Sequence, residues 1–217
     1  VLDLWVEAWR KRHARGEVYI VRYADDFVMG FQYREDAEAF QHALEQRMQK
    51  FGLEMNTEKT RLIEFGRFAM DNREKRGERK PETFDFLGFT HFCARRRKDR
   101  RFVVRRKTIA KRLRMKVKKV AKELKRRRHD LEADQGQWLR SVVRGYFNYH
   151  GVPGNIEALE RFRTLVTRAW MQSLRKRSHK ARRLTWVRMR KLEATWLPRA
   201  RILHPYPNQR LCVSYPR

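Results

Sequence analysis

Cysteine is almost missing from this chain of 217 residues: Cys93 and Cys212 stand alone and far apart, with no Cys-x-x-Cys spacing. That excludes a disulfide framework and a zinc module, and makes a reducing, cytosolic compartment the expectation. Long apolar runs are missing too. None approaches the roughly 18 residues of a membrane span, and no signal peptide is visible. Acid is scarce: 25 Asp and Glu face 54 Lys and Arg, for a formal net charge of +29. A field of that sign and size exceeds what solubility needs and favours a polyanion. With no membrane segment in the sequence, the polyanion expected is nucleic acid. The chain also lacks internal repeats and low-complexity tracts. What it does contain is core material, with 41% apolar residues and 13 Phe, 6 Trp and 7 Tyr. That is enough for one large domain or two small ones.

The chain opens at Val1 on an amphipathic pattern, residues 2–9, with no start methionine and no capping signal, and reads as the tail of a helix cut from a longer protein. Gly16-Glu17 turns it into two apolar runs, 18–21 and 27–31, which read as a strand–turn–strand hairpin. Ala37, Phe40, Leu44, Met48 and Phe51 recur at helical steps over 34–51, and Gly52 stands where a C-terminal cap belongs. A short extended stretch is expected over 60–65, and an exposed loop over 66–82, punctuated by Gly77 and Pro81. Aromatic residues alternate along 84–92 as in a strand, paired with 102–104 across the basic turn 95–101. After about Lys107 the pattern becomes helical. Ile109, Leu113, Val117, Val120, Leu124 and Leu131 form one apolar stripe, and further helices are expected at 137–149, 156–176 and 185–196.

Between the two hairpin strands stands Tyr23-Ala24-Asp25-Asp26. An Asp pair at a tight turn is by itself commonly turn chemistry, since the side chain bonds the backbone two residues on. In so cationic a chain, two adjacent carboxylates can also hold a hard divalent cation where phosphates gather. The second concentration of charge runs from Arg95 to Arg128, with 20 Lys or Arg against Asp99 and Glu123. Cationic helix faces are usually solvated surface, but like charges at three- and four-residue spacing repel, and an uncompensated run implies a polyanion to offset them. Lys116, Lys118, Lys119, Arg126 and Arg127 are the candidates to face RNA phosphates. Tyr146, Asn148, Tyr149 and His150 gather at a helix end, where they either stack on unpaired bases and bond 2′-hydroxyls or pack the helices. His150 and His204 have no metal-ligand neighbours in sequence.

Taken in order, Tyr23-Ala24-Asp25-Asp26, then Gly52-Leu53-Glu54-Met55-Asn56-Thr57-Glu58-Lys59-Thr60, then Phe84-Asp85-Phe86-Leu87-Gly88-Phe89, the sequence resembles the palm of reverse transcriptases encoded by bacterial group II introns. The resemblance continues through Gly145-Tyr146-Phe147-Asn148-Tyr149-His150-Gly151 and Trp186 to His204-Pro205-Tyr206-Pro207, which look like that family's thumb, or maturase, domain. It implies an α+β fold: a distal palm fragment over 1–106, then an all-α basic thumb over 107–217. It also implies a metal pair of Asp25 and Asp26 holding Mg2+, Lys59 acting on the incoming triphosphate, and a primer grip at Phe86, Leu87 and Gly88. The partners implied are group II intron RNA, an RNA template with a DNA primer, and deoxynucleotides, in the bacterial cytoplasm and not at a membrane. The segment 1–9 looks like the stretch just after the family's motif B, so the fingers, the proximal palm and the first metal-binding Asp would lie upstream. The end at Pro216-Arg217 lacks the Cys/His-rich endonuclease extension of some members.

The reading is therefore the C-terminal half of a reverse transcriptase and maturase, inactive alone. The alternative is a truncated RNA-binding splicing factor without catalysis. A ribosomal-type basic scaffold would explain the charge but not the ordered motifs.

Overall fold

A computed structural model describes residues 2–56 and 58–206; Val1, Thr57, Pro207, Cys212, Pro216 and Arg217 lie outside the described residues. The fold is α+β, helices with small antiparallel sheets, in two compact units, Val1–Phe65 and Gly66–Arg217.

In the first unit, helices α1 (Leu2–His13) and α2 (Arg34–Gln49) share a core with one face of the hairpin β1 (Val18–Tyr23) and β2 (Asp26–Phe31). The strands are in register from Val18 opposite Phe31 to Tyr23 opposite Asp26. Side chains alternate across a strand, so Val18 and Ile20 join the core while Tyr19, Val21 and Tyr23 are exposed. Trp9 meets Phe40 edge-on with ring centres 5.0 Å apart, and burial of rings of this size contributes about 2 kcal/mol each. The entry to β1 is fixed by the buried Asp36, whose carboxylate accepts hydrogen bonds from the backbone N–H of Arg15 (2.9 Å) and Gly16 (3.1 Å). Burial alone would raise the Asp36 pKa, but the bonds from Gly16 and Arg15 outweigh it and the net shift is downward. Helix α2 ends on Gly52 at φ +66°, where Leu53 N–H donates to the Met48 carbonyl. Phe51 falls past the helix end and off the apolar face; it is exposed beneath the Arg47 guanidinium. The stretch 60–65 forms no strand, because β1 and β2 pair only with each other.

The second unit begins where a loop was expected and contains a short helix, α3 (Ala69–Lys75), with Ala69 buried. Its charges are not idle: Arg73 pairs with Glu78 and Glu82, Arg76 with Glu78, and Asp71 with Arg95. The run 84–92 is two strands, not one. β3 (Phe84–Phe86) folds back through Leu87-Gly88 onto β4 (Phe89–Arg95), and β4 pairs with β5 (Phe102–Thr108).

Helices α4 (Ala110–Arg126), α5 (Glu132–His150), α6 (Ile156–Arg175) and α7 (Trp186–Trp196), with a 3-10 turn at Lys180–Arg183, enclose the main core of Leu124, Leu139, Val143, Leu159, Phe162, Val166 and Trp170. Two expectations change here. Ile109 precedes α4 and Leu131 precedes α5, 71% exposed, so neither extends the α4 stripe. Helix α5 starts five residues before the expected Gln137, because the polar segment 132–136 carries the fully buried Gln135. Its amide donates to the carbonyls of Arg127, Arg128 and Asp130 and accepts from the Trp170 indole at 2.9 Å, closing the end of α4 against α6. No helix among the described residues is long and apolar enough to cross a membrane.

Candidate functional site

Because Tyr23 pairs with Asp26, the first hairpin closes over only two residues, Ala24 and Asp25. Backbone φ is +54° at Ala24, and Asp25 stays out of the positive region. This is the pattern of a type II′ turn, whose first central position normally takes glycine. An alanine there costs about 1 kcal/mol, and strain of this kind persists where surrounding structure enforces it. The enforcing residue is Arg22, which sequence reasoning missed. Its guanidinium donates twice to Asp3 on α1, at 2.9 and 2.6 Å, and once to the Ala24 carbonyl at 3.1 Å. Nothing in the local pattern marks it, since its partner lies 19 residues earlier.

Asp25 and Asp26 are both exposed, and among the described residues neither carboxylate has an ion-pair or hydrogen-bond partner. In a chain with two cations for each acid, many carboxylates are paired, as Glu123, Glu193 and Asp71 are. Exposed carboxylate oxygens without a protein partner are the donor type a hard divalent cation such as Mg2+ takes, and Asp25 and Asp26 offer part of such a shell. Among the described residues no group of three or more His, Cys, Asp or Glu gathers to complete one. Lys59 lies on a separate turn of the same unit, where its N–H donates to the carbonyl and side-chain oxygens of Asn56, each at 3.1 Å. Its ammonium is exposed and likewise unpaired among the described residues.

The Leu87-Gly88 turn is the second unit's counterpart. Both residues have positive φ, +47° and +82°, as in a type I′ turn, so Gly88 closes a hairpin. Leucine is strained there, and again the surroundings hold it: the Tyr149 hydroxyl donates to the Leu87 carbonyl at 2.9 Å, and Ile109 N–H donates to the Gly88 carbonyl. A Cβ on Gly88 would sit 3.3 Å from the Arg112 guanidinium and 3.6 Å from the Tyr149 ring. Phe86 is half-buried on the flank of the turn.

Behind this turn the sheet is locked to the helices. Asn155, 1% exposed, accepts from Thr108 N–H at 2.9 Å and donates to the Thr108 hydroxyl and the His150 carbonyl. Phe89 stacks on Tyr149 and meets His150 edge-on. His150 faces Thr108 through Nδ1, and burial, with the Arg112 charge nearby, lowers its pKa to about 4, so it is neutral at physiological pH. Tyr146 is core: its ring stacks on Phe162 at 3.7 Å and is 7% exposed, so it offers no face to a base. Its hydroxyl faces Thr108 without completing a normal hydrogen bond, and burial pushes its ionisation up to about 12. Asn148 and Tyr149 are exposed; the Asn148 carbonyl is bonded to His204 Nε2 at 2.5 Å.

On α4 the basic residues divide. Lys116, Lys118 and Lys119 are exposed and unpaired among the described residues. Arg126 and Arg127 both bind Glu123, at 3.0 and 2.7 Å, and Arg127 also covers Trp138. The two arginines share this one carboxylate, and Arg126 stays largely exposed.

The family model for reverse transcriptase (RNA-dependent DNA polymerase) matches residues 1–91. The matched segment contains the Asp25-Asp26 turn, Lys59 and the Leu87-Gly88 turn, and amounts to less than half of the 217 residues. No curated protein matches the chain.

Proposed function

We propose that this chain, with its reverse-transcriptase match over residues 1–91, is part of an RNA-directed DNA polymerase of the group II intron maturase type. In this reading residues 1–106 act as distal palm and residues 107–217 as a thumb that grips intron RNA and the template–primer duplex. The observation that carries it is the matched hairpin turn, with its two free carboxylates on a strained backbone. Bound Mg2+ would supply activation of a primer hydroxyl and charge neutralisation on a triphosphate. Asp25 and Asp26 hold the cation. Lys59, a compact flexible cation, leans on the incoming triphosphate or gives a proton to the leaving pyrophosphate. The Leu87-Gly88 turn supports the primer strand, and the unpaired lysines of α4 take RNA phosphates. The working compartment in this reading is the bacterial cytoplasm.

The test is RNA-templated DNA synthesis in the full reading frame that contains the chain. Asp25→Asn removes a metal ligand but no phosphate contact, so synthesis should fall at least a hundredfold while RNA affinity stays within about twofold. Joint loss of synthesis and RNA binding would mark Asp25 as structural and sink the metal assignment. A second reading, an RNA-folding or splicing factor without polymerase activity, is favoured by the gathering of only two carboxylates among the described residues. It expects RNA binding with no synthesis in the parent protein.

A further inference from the structure

Beside the Leu87-Gly88 turn, helices α4 and α5 frame a cleft of about 520 Å³. Its walls include Arg112 and Lys116 from α4, and Ser141, Gly145, Tyr149 and His150 from α5.

Three observations mark the cleft as a place for a ligand and not a packing gap. Arg112 and Lys116 stand four residues apart on one helix face, both exposed and neither in an ion pair among the described residues. The one acid of α4, Glu123, is taken by Arg126 and Arg127. Tyr149 is 54% exposed: its ring stacks on Phe89 on one side and borders the cleft on the other, with its hydroxyl fixed on Leu87. Last, Gly145 sits in the middle of α5, where glycine is destabilising relative to alanine. Packing explains the other glycine of this helix, because a Cβ on Gly136 would lie 2.4 Å from the Trp196 indole. A Cβ on Gly145 would meet nothing within 4 Å. The fold does not need a glycine there, and the low floor it leaves serves something that enters.

We propose that this cleft holds one nucleotide unit of a nucleic-acid strand, with its phosphate on Arg112 and Lys116 and its sugar and base against Gly145 and Tyr149. The neutral His150 adds no competing charge to the wall. A phosphate bridging two cations and a ring resting on an aromatic face are the sequence-tolerant contacts of single-strand binding. RNA and DNA strands both offer this chemistry. The inference rests on the nucleic-acid reading of the chain and adds a site to it.

The experiment measures binding of fluorescein-labelled oligouridine and oligothymidine to the chain over a series of salt concentrations. Gly145→Met keeps a good helix former and fills the cleft, so the dissociation constant should rise about tenfold with no loss of helicity. Joint replacement of Arg112 and Lys116 by Gln should make the plot of log affinity against log salt shallower by about one to two units. Gly145→Ala adds one methyl to the floor and should raise the melting temperature while weakening binding by less than Gly145→Met, which separates loss of affinity from loss of fold. Loss in the RNA arm alone assigns an RNA strand, loss in the DNA arm alone a DNA strand, and loss in both a site that accepts either. A parent that binds and variants that bind equally well in both arms would overturn the cleft alone. A parent that binds neither oligonucleotide would overturn the nucleic-acid reading, and the cleft with it.

Discussion

Ala24 shows how much a single residue can constrain this site. Its φ of +54° is a conformation that side chains resist, and it is the residue that sets the direction of Asp25. Ala24→Gly removes the steric cost but returns a similar entropy cost to folding, each about 1 kcal/mol, so stability should be nearly unchanged. Ala24→Val puts a β-branched side chain at positive φ and should destabilise the fold by about 1–2 kcal/mol. Urea denaturation of the two variants checks this. Equal midpoints for valine and glycine would mean that the turn does not keep this backbone in solution. Tyr146 teaches the opposite lesson. It looks like a nucleic-acid contact in sequence and is core in the fold, whereas its neighbour Tyr149 carries the exposed ring.

At the scale of elements, the junction of β5, α4, α5 and the start of α6 is a polar seam inside an apolar wall. Thr108, His150 and Asn155 bond one another there, with Tyr146, Tyr149, Phe89 and Arg112 around the imidazole. The folded pKa of His150, about 4, lies below its ordinary value of 6.5. Between those values the unfolded chain takes up a proton that the fold refuses. Stability from this group is therefore complete above pH 6.5 and declines as pH falls toward 4. Carboxylates also titrate in that range, so the informative quantity is the difference from His150→Gln. The parent should lose more melting temperature than the variant between pH 6.5 and 4.5, and parallel curves would show that His150 is not desolvated.

For the whole molecule, the net charge of +29 sets strong salt dependence, and the fold decides which cations supply it. Lys118, Lys119 and Lys122 are exposed and unpaired among the described residues, whereas Arg126 and Arg127 are tied to Glu123. Replacing the three lysines by Gln should make the salt dependence of RNA affinity shallower by roughly two to three units. Replacing Arg126 and Arg127 by Gln should change the slope by only about one unit with little effect on stability, because Glu123 offsets one of the two charges and exposed pairs of this kind contribute little. RNA binding at several salt concentrations, with circular dichroism for helicity, separates the two. Equal slope changes would mean that the Glu123 pairs open on binding.

The sequence by itself determined the hairpin that carries Asp25 and Asp26, most of the helices, the excess of positive charge and the order of motifs. These arise from periodicity, turn residues and composition, all of which act over a few neighbouring residues. What only the tertiary structure decided depends on partners distant in the chain. Asp3 reaches Arg22 across 19 residues to brace the turn, and Asn155 reaches Thr108 across 47 to join sheet and helices. Helix α3 and the first turn of α5 were hidden because their polar residues stabilise them through ion pairs and one buried amide, which no apolar stripe announces. Whether an aromatic residue or an arginine faces solvent or its own protein was settled the same way. Burial is a property of what packs against a residue, and in this chain those neighbours come from other elements.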